Sequence, residues 1–285
     1  MTYSDPQVDE IVERALKEDL GWGDITTEAL VPSSLMGEGV FLAKTEGILA
    51  GLGVVELTFR KVDPGIELKP VFLDGQRFVT GDKLATVRGP LAGILKAERT
   101  ALNLLQRLSA IATETAKYVA IVGNFKARIL DTRKTVPGLR ILDKYAVRLG
   151  GGQNHRYHLG DGILIKDNHI ACLKKAGRSL NEGIKMVRAR APFHLKVEVE
   201  VTNHGEVREA LEAGADFLLL DNMSPDDMKE AVSIIKGKCL TEASGGVNLK
   251  SVRAIAEAGV DFISVGALTH SVKALDISLE VGLAE

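Results

Sequence analysis

The sequence predicts an α/β protein: a small β-rich layer followed by a closed or nearly closed α/β barrel. Three observations predict it. Apolar, β-branched runs recur at 128–131, 162–166, 195–201, 217–221, 239–243 and 262–266, with amphipathic helical segments such as 203–213 and 248–258 between them. The phrases EAGADF and EAGVDF repeat one grammar, in which a helix ends, a glycine caps it and the next strand begins. Residues 37–90 read differently, as short apolar runs parted by Gly, Asp-Gly and Pro, the pattern of strands joined by tight turns. Repeated β–α units of this length imply parallel strands with right-handed crossovers. Six near-continuous apolar strands favour barrel closure over the alternative, an open doubly wound sheet.

In chain order, residues 1–20 have a helical period, with Val8, Ile11, Val12, Ala15 and Leu16 on one face. GWGDITTEAL follows, where Asp24 or Thr26 suits an N-cap. Within the β-rich layer, DGQRFVTGDKLATVRGP has a superficial likeness to carrier domains for biotin or lipoate, but no lysine stands at a hairpin tip in the right setting. Leu91 to Val122 reads as one long helix. Leu95, Leu102, Leu105 and Ile111 carry its apolar face, and Arg99 and Arg107 stand two turns apart.

Composition narrows the class. A chain of 285 residues can bury a full core and predicts two domains. A formal net charge of −2 argues against a protein that coats nucleic acid. The first residues lack a basic start and an apolar core, so they do not read as a signal peptide. No run approaches the ~18 apolar residues a membrane span requires. Two distant cysteines, Cys172 and Cys239, make a disulfide framework or a cysteine zinc site improbable, and the cytoplasm is the expected compartment.

The stretch from Asp131 to Ile170 carries the chemistry. It gathers Arg133, Lys134, His155, Arg156, Lys166 and His169 among glycines. Cations placed just after apolar runs do nothing for a core; they suit a ligand with several negative charges. In β/α barrels the chemistry lies at the carboxyl ends of the strands. Here those ends deliver Asp131–Thr135, Lys166–His169, Glu198 with Glu200, Asp221-Asn222, Glu242–Gly246 and Gly266-Ala267. Ser244-Gly245-Gly246 and Gly266 suit a phosphate cradle of backbone N–H groups, helped by a following helix N-terminus, although each loop alone could be a plain βα turn. Alternation in LKVEVEV points Glu198 and Glu200 to one face, where they need a cation, a hydroxyl pair or a metal; ion pairs with Lys166 or Lys196 are the structural alternative. Arginine offers bidentate contact to carboxylate or phosphate, and lysine a point charge. His155, His158 and His169 raise a zinc hydrolase, but HxxH on a glycine-rich loop presents ligands poorly. P-loop, dinucleotide and nucleophile-elbow motifs are absent.

The phrases ERTALNLLQRLSAIAT, DTRKTVPGLR, GGGQNHR, LIKDNHI, VEVEV, LLLDN, EASGG and SVGALTHS, in that order, resemble the quinolinate phosphoribosyltransferase family from about residue 20 to the C-terminus. The resemblance implies an N-terminal α/β sandwich joined to an open α/β barrel of about six parallel strands. The domains would be 1–110, joined by 271–285, and 111–270. It implies transfer of a phosphoribosyl group from 5-phosphoribosyl-1-diphosphate to quinolinate with decarboxylation, giving nicotinate mononucleotide, diphosphate and CO₂, with Mg²⁺, in NAD biosynthesis. Arg133, Arg156 and Lys166 would hold the quinolinate carboxylates. Arg99 would be donated to the neighbouring subunit's site, making the protein a homodimer or a hexamer. Lys134 and His155 would lie near the diphosphate and quinolinate. Glu200 and Asp221 would hold the ribose hydroxyls and Mg²⁺, directly or through water. Ser244, Gly245, Gly246 and Gly266 would hold the 5-phosphate. Lys134, Lys166, Glu200 and Asp221 are the expected catalytic set. Tyr157, His158 and Gly160, and Thr202-Asn203-His204, depart from the family pattern at loop positions. A relative acting on another ring acid and a non-catalytic sugar-phosphate barrel are the competing functions.

Overall fold

The structure, a computed structural model, describes residues 5–284. The chain packs as two compact units. One takes in the chain as far as Ala116, Thr135–Gly151 and the segment from Leu268 onward; the other comprises Lys117–Lys134 and Gly152–Ala267.

The first unit is built on a four-stranded antiparallel sheet in the order Ile277–Leu283, Met36–Ala43, Lys83–Pro90, Glu67–Pro70. The last strand of the chain thus pairs with the first long one, from Gly37 opposite Leu283 to Ala43 opposite Ile277. Alternate residues of Met36–Ala43 face inward, and Phe41 meets Phe59 of the helix Leu52–Val62 edge to face at 6.1 Å. Leu84, Ile94 and Leu105 complete a fully buried core with them. The helix Pro6–Leu20 starts at Asp5, whose side chain accepts from the Gln7 N–H, and it buries Val8, Ile11, Val12 and Leu16. Of the two N-cap candidates, Asp24 caps the next helix, Ile25–Leu30. The long helix runs over the expected Leu91–Val122; Leu102, Leu105 and Ile111 are buried, whereas Leu95 is only half-buried.

Residues 135–151 pack with this unit by contact, although the sequence pattern groups them with the barrel. Two interactions fasten them. Arg107 grips the fully buried Asp143 of the helix Arg140–Leu149 through two hydrogen bonds of 2.9 and 2.8 Å, and Tyr145 Oη donates to Asp74 at 2.7 Å. Gly150 lies so close to the long helix that a Cβ there would stand 2.3 Å from the Ala112 carbonyl oxygen.

The second unit holds six strands: Arg128–Leu130, Ile163–Ile165, Val197–Val201, Phe217–Asp221, Leu240–Ser244 and Phe262–Ser264. Numbered first to sixth along the chain, they lie in the order 1-6-5-4-3-2, and every pair is parallel. This is the order of a barrel that stays open between the first and second strands, where a single Leu130–Gln153 bridge extends the first strand's edge. The first, second, third and sixth strands are shorter than their apolar runs, the fourth fills its run, and the fifth is shifted by one residue to Leu240–Ser244. Among the described residues, no helix is long and apolar enough to cross a membrane.

Candidate active site

A cavity of about 410 Å³ opens at the carboxyl ends of these strands. The first strand leads straight into Asp131, which is fully buried and accepts hydrogen bonds from Asn154 Nδ2 (2.7 Å) and the His155 N–H (2.8 Å). A short buried carboxylate thereby pins the loop that carries His155 and Arg156 beside Arg133 and Lys134. Arg156 donates to the Gly162 carbonyl at 2.9 Å, and Tyr157 closes the loop through Asp161 (2.8 Å) and Asn154 (3.0 Å). Tyr157, one of the positions that depart from the family pattern, therefore fixes the shape of this loop.

The cations are crowded. Burial, and then the neighbouring charge of Arg133, hold the Arg156 guanidinium below its usual range. Two guanidinium groups that repel each other across a cavity mark a place prepared for anions. Lys166 follows the second strand and starts the helix Asp167–Lys175; its N–H donates to His169 Nδ1 at 3.0 Å, which fixes the turn. Its ammonium stands 3.6 Å from Glu200 of the third strand. The ion-pair alternative for Glu200 is thus realised with Lys166, while Lys196 pairs with Asp216 at 3.7 Å.

Burial raises the Glu200 carboxyl; Lys166 opposes this, and Asp221 and Asp167 add to it. Glu200 is therefore undersupplied with positive charge, and Asp221 stands on the adjacent strand. Hard oxygen donors in that state fit Mg²⁺, which takes few protein ligands and fills its shell with water and substrate phosphate oxygens.

Asp221 accepts from Asn222 Nδ2 at 2.8 Å, and Asn222, in the left-handed region at φ 53°, donates its N–H to the Ser244 carbonyl at 2.9 Å. Gly245 (φ 92°) and Gly246 (φ 59°) then turn the chain. A Cβ on Gly245 would meet Asn222 Oδ1 at 2.2 Å, so both backbone freedom and space demand glycine there. No helix N-terminus follows this loop directly, since the next helix begins only at Val252, after a turn held by Asn248, whereas the short helix Ala267–His270 begins right after Gly266. Any anion at this loop must rely on the glycine N–H groups and the nearby cations.

The structure brings together Arg133, Lys134, His155, Arg156, Lys166, Glu200, Asp221, Ser244, Gly245 and Gly246 along one cavity. Gly266 stands two residues beyond the sixth strand and outside that lining, and Arg99 is exposed on the long helix of the first unit. His158 and His169 join no group of metal-ligand spacing among the described residues; His155, Glu198 and Glu242 do, with donor atoms within 4.8 Å. Glu242 lines the cavity, although its sequence context does not single it out. The alternation of LTEAS carries the signal, since it puts Glu242 on the same face as Ser244.

His155 links these acids. Its Nε2 lies 3.2 Å from Glu198 and 3.5 Å from Glu242, and its Nδ1 accepts the Arg156 N–H at 2.7 Å. Burial pulls the imidazole pKa down, but the hydrogen bond to Glu198 and the charges of Glu242 and Glu198 outweigh it and leave the pKa raised.

Comparison with known proteins agrees with this architecture. Residues 24–109 match the quinolinate phosphoribosyl transferase N-terminal domain, and residues 111–280 match its C-terminal domain. A probable nicotinate-nucleotide pyrophosphorylase (carboxylating) of Bacillus subtilis is 42% identical over 278 residues, covering 98% of this chain and 94% of that one. A mitochondrial quinolinate phosphoribosyltransferase (decarboxylating) of Nicotiana glauca is 43% identical over 288 residues, covering 95% and 81%. The structure of the nicotinate-nucleotide pyrophosphorylase from Francisella tularensis superposes with a TM-score of 0.90 at 39% identity, covering 97% and 96%. An antiparallel N-terminal unit, an open six-stranded parallel barrel and full-length similarity lead to one conclusion: the chain belongs to the quinolinate phosphoribosyltransferase family.

Proposed function

We propose that this protein joins quinolinate to the ribose of 5-phosphoribosyl-1-diphosphate and releases diphosphate and CO₂, forming nicotinate mononucleotide for NAD biosynthesis. Family membership over both domains supports the reaction. The observation that carries the substrate reading is the single cavity where Arg133, Arg156 and Lys166 face Glu200 and Asp221 beside a glycine pair. Three cations suit a dicarboxylate, two acids suit a sugar that becomes cationic at C1, and the glycine loop suits a phosphate.

Arg133 and Arg156 hold the carboxylates of quinolinate, with Lys166 at the rim. Lys134, exposed at the end of the first loop, meets the diphosphate. Glu200 and Asp221 hold the ribose hydroxyls and stabilise positive charge as the C1–diphosphate bond breaks. The same two acids would hold Mg²⁺, directly or through water, and the ion would supply charge neutralisation for the diphosphate. Backbone N–H groups of Ser244–Gly246 receive the 5-phosphate, with Gly266 nearby. The pyridine nitrogen attacks C1, and its positive charge then stabilises the electron pair left on C2 when CO₂ departs.

Arg99 completes the site of a second copy, which makes the working form at least a dimer in the cytoplasm. Replacing Lys166 by Ala tests the core of this reading. The rate should fall by about 100-fold or more while the folded state persists, because the side chain is half-exposed and supports no core. A normal rate in that variant removes Lys166 from the mechanism.

A further inference from the structure

Loss of CO₂ leaves an electron pair on C2 of the ring, and the product requires a proton at that carbon. Arg133 and Arg156 are taken up with the carboxylates, and Lys166 is engaged with Glu200 at the rim. Deeper in the barrel lies a group suited to supplying it. Glu242 of the fifth strand is 2% exposed and Glu198 of the third is 7% exposed, and both face His155 Nε2. One further oxygen of each, Glu198 Oε1 and Glu242 Oε1, is buried without a hydrogen-bond partner. Two acids around one imidazole in a dry setting call for an additional positive charge. Because His155 Nδ1 accepts the Arg156 N–H, the ring proton lies on Nε2, between the glutamates.

His155, Arg156 and Glu242 line the active cavity and also a second one, of about 420 Å³. That second cavity is bounded by Leu195, Phe217 and Phe262, at the opposite, amino-terminal ends of the strands. The acid cluster is thus the partition between the two.

We propose that Glu242 is the general acid that protonates C2 after CO₂ leaves, and that the second cavity returns a proton to it from solvent. The bond between C2 and the carboxylate breaks, and its electron pair stays on C2 beside the cationic ring nitrogen. CO₂ leaves neutral. The Glu242 O–H then breaks, its proton joins C2, and Glu242 remains a carboxylate until water in the second cavity reprotonates it; each turnover consumes one proton. Burial, then the charge of Glu198, push the Glu242 carboxyl up to about 8 against the opposing pull of His155, with Ser264 of the sixth strand also pulling it down. Burial beside a second carboxylate thus favours the protonated form of Glu242. This assignment rests on the quinolinate reading of the cavity.

Glu242→Gln, which keeps the shape and removes the transferable proton, tests it. The rate should fall by about 100-fold or more, the usual share of a general acid, while quinolinate affinity by calorimetry stays within about threefold and the solvent deuterium isotope effect on kcat changes. Glu242→Asp should recover part of the rate. A Gln variant with near wild-type kcat overturns the proposal alone. So does a parallel loss of rate and quinolinate affinity, or a stoichiometric metal ion bound by the wild type and lost in the variant. Wild-type protein that forms no nicotinate mononucleotide overturns the substrate reading and the proposal together. Infrared spectra of the wild type give a test independent of any variant: a protonated-carboxyl band at about pH 6.5 that fades by about pH 9.5 is expected, and its absence at the lower pH overturns the assignment.

Discussion

Gly245 shows how much a single position can require. Its φ of 92° and the 2.2 Å approach of Asn222 Oδ1 leave no room for a methyl group. Gly245→Ala should raise the KM for 5-phosphoribosyl-1-diphosphate by about 5- to 150-fold, the equivalent of the 1–3 kcal/mol such strain costs, and leave the KM for quinolinate nearly unchanged. Steady-state kinetics with each substrate varied would check this; an unchanged phosphoribosyl KM contradicts the cradle. The glycine pair was legible because it follows a strand end, where a tight turn or a phosphate is the natural reading. Glu200 was legible through alternation and its place near the strand end. Asp131 and Asn154 were not, because their hydrogen bond joins the first strand to a distant loop and leaves no local pattern. Glu242 was legible only as part of a polar strand end, because its role comes from Glu198 and His155, which other segments supply.

At the scale of elements, the long helix could be read end to end, since its apolar face repeats without interruption over several turns. The helix Arg140–Leu149 could not. Its buried face includes Asp143 and Lys144 beside Leu142, Ala146 and Val147, so an acid and a base stand where only apolar residues are expected. Asp167–Lys175 fully buries none of its residues; Ile170 and Leu173 are only half-buried, so its apolar side is short. The interaction that hid Arg140–Leu149 is also one that holds it. Burial raises the Asp143 carboxyl, and the Arg107 hydrogen bonds oppose that rise. Removing the partner with Arg107→Ala leaves a buried acid uncompensated, which should cost about 3–5 kcal/mol in denaturant unfolding. A loss of only a few tenths would mean that the pair contributes little.

For the whole molecule, the parallel β–α grammar of residues 128–266 made the barrel legible, whereas the antiparallel unit depended on a pairing between the two ends of the chain. Ile277–Leu283 lies against Met36–Ala43, and no local pattern in either strand names the other. Arg99 belongs to the same scale. If it serves a neighbouring site, inactive Arg99→Ala and Lys166→Ala proteins should regain about a quarter of wild-type activity when dissociated and mixed in equal amounts, because half the dimers are then mixed and each has one intact site. No recovery, with subunit exchange confirmed, contradicts donation in trans.

The most direct test of the proposed reaction is a single assay of the purified protein with 5-phosphoribosyl-1-diphosphate, Mg²⁺ and either quinolinate or nicotinate, with nucleotide and CO₂ both quantified. Nicotinate mononucleotide and CO₂ should form in equal amounts from quinolinate alone. Turnover of nicotinate without CO₂, or no product from either acid, would contradict the assignment.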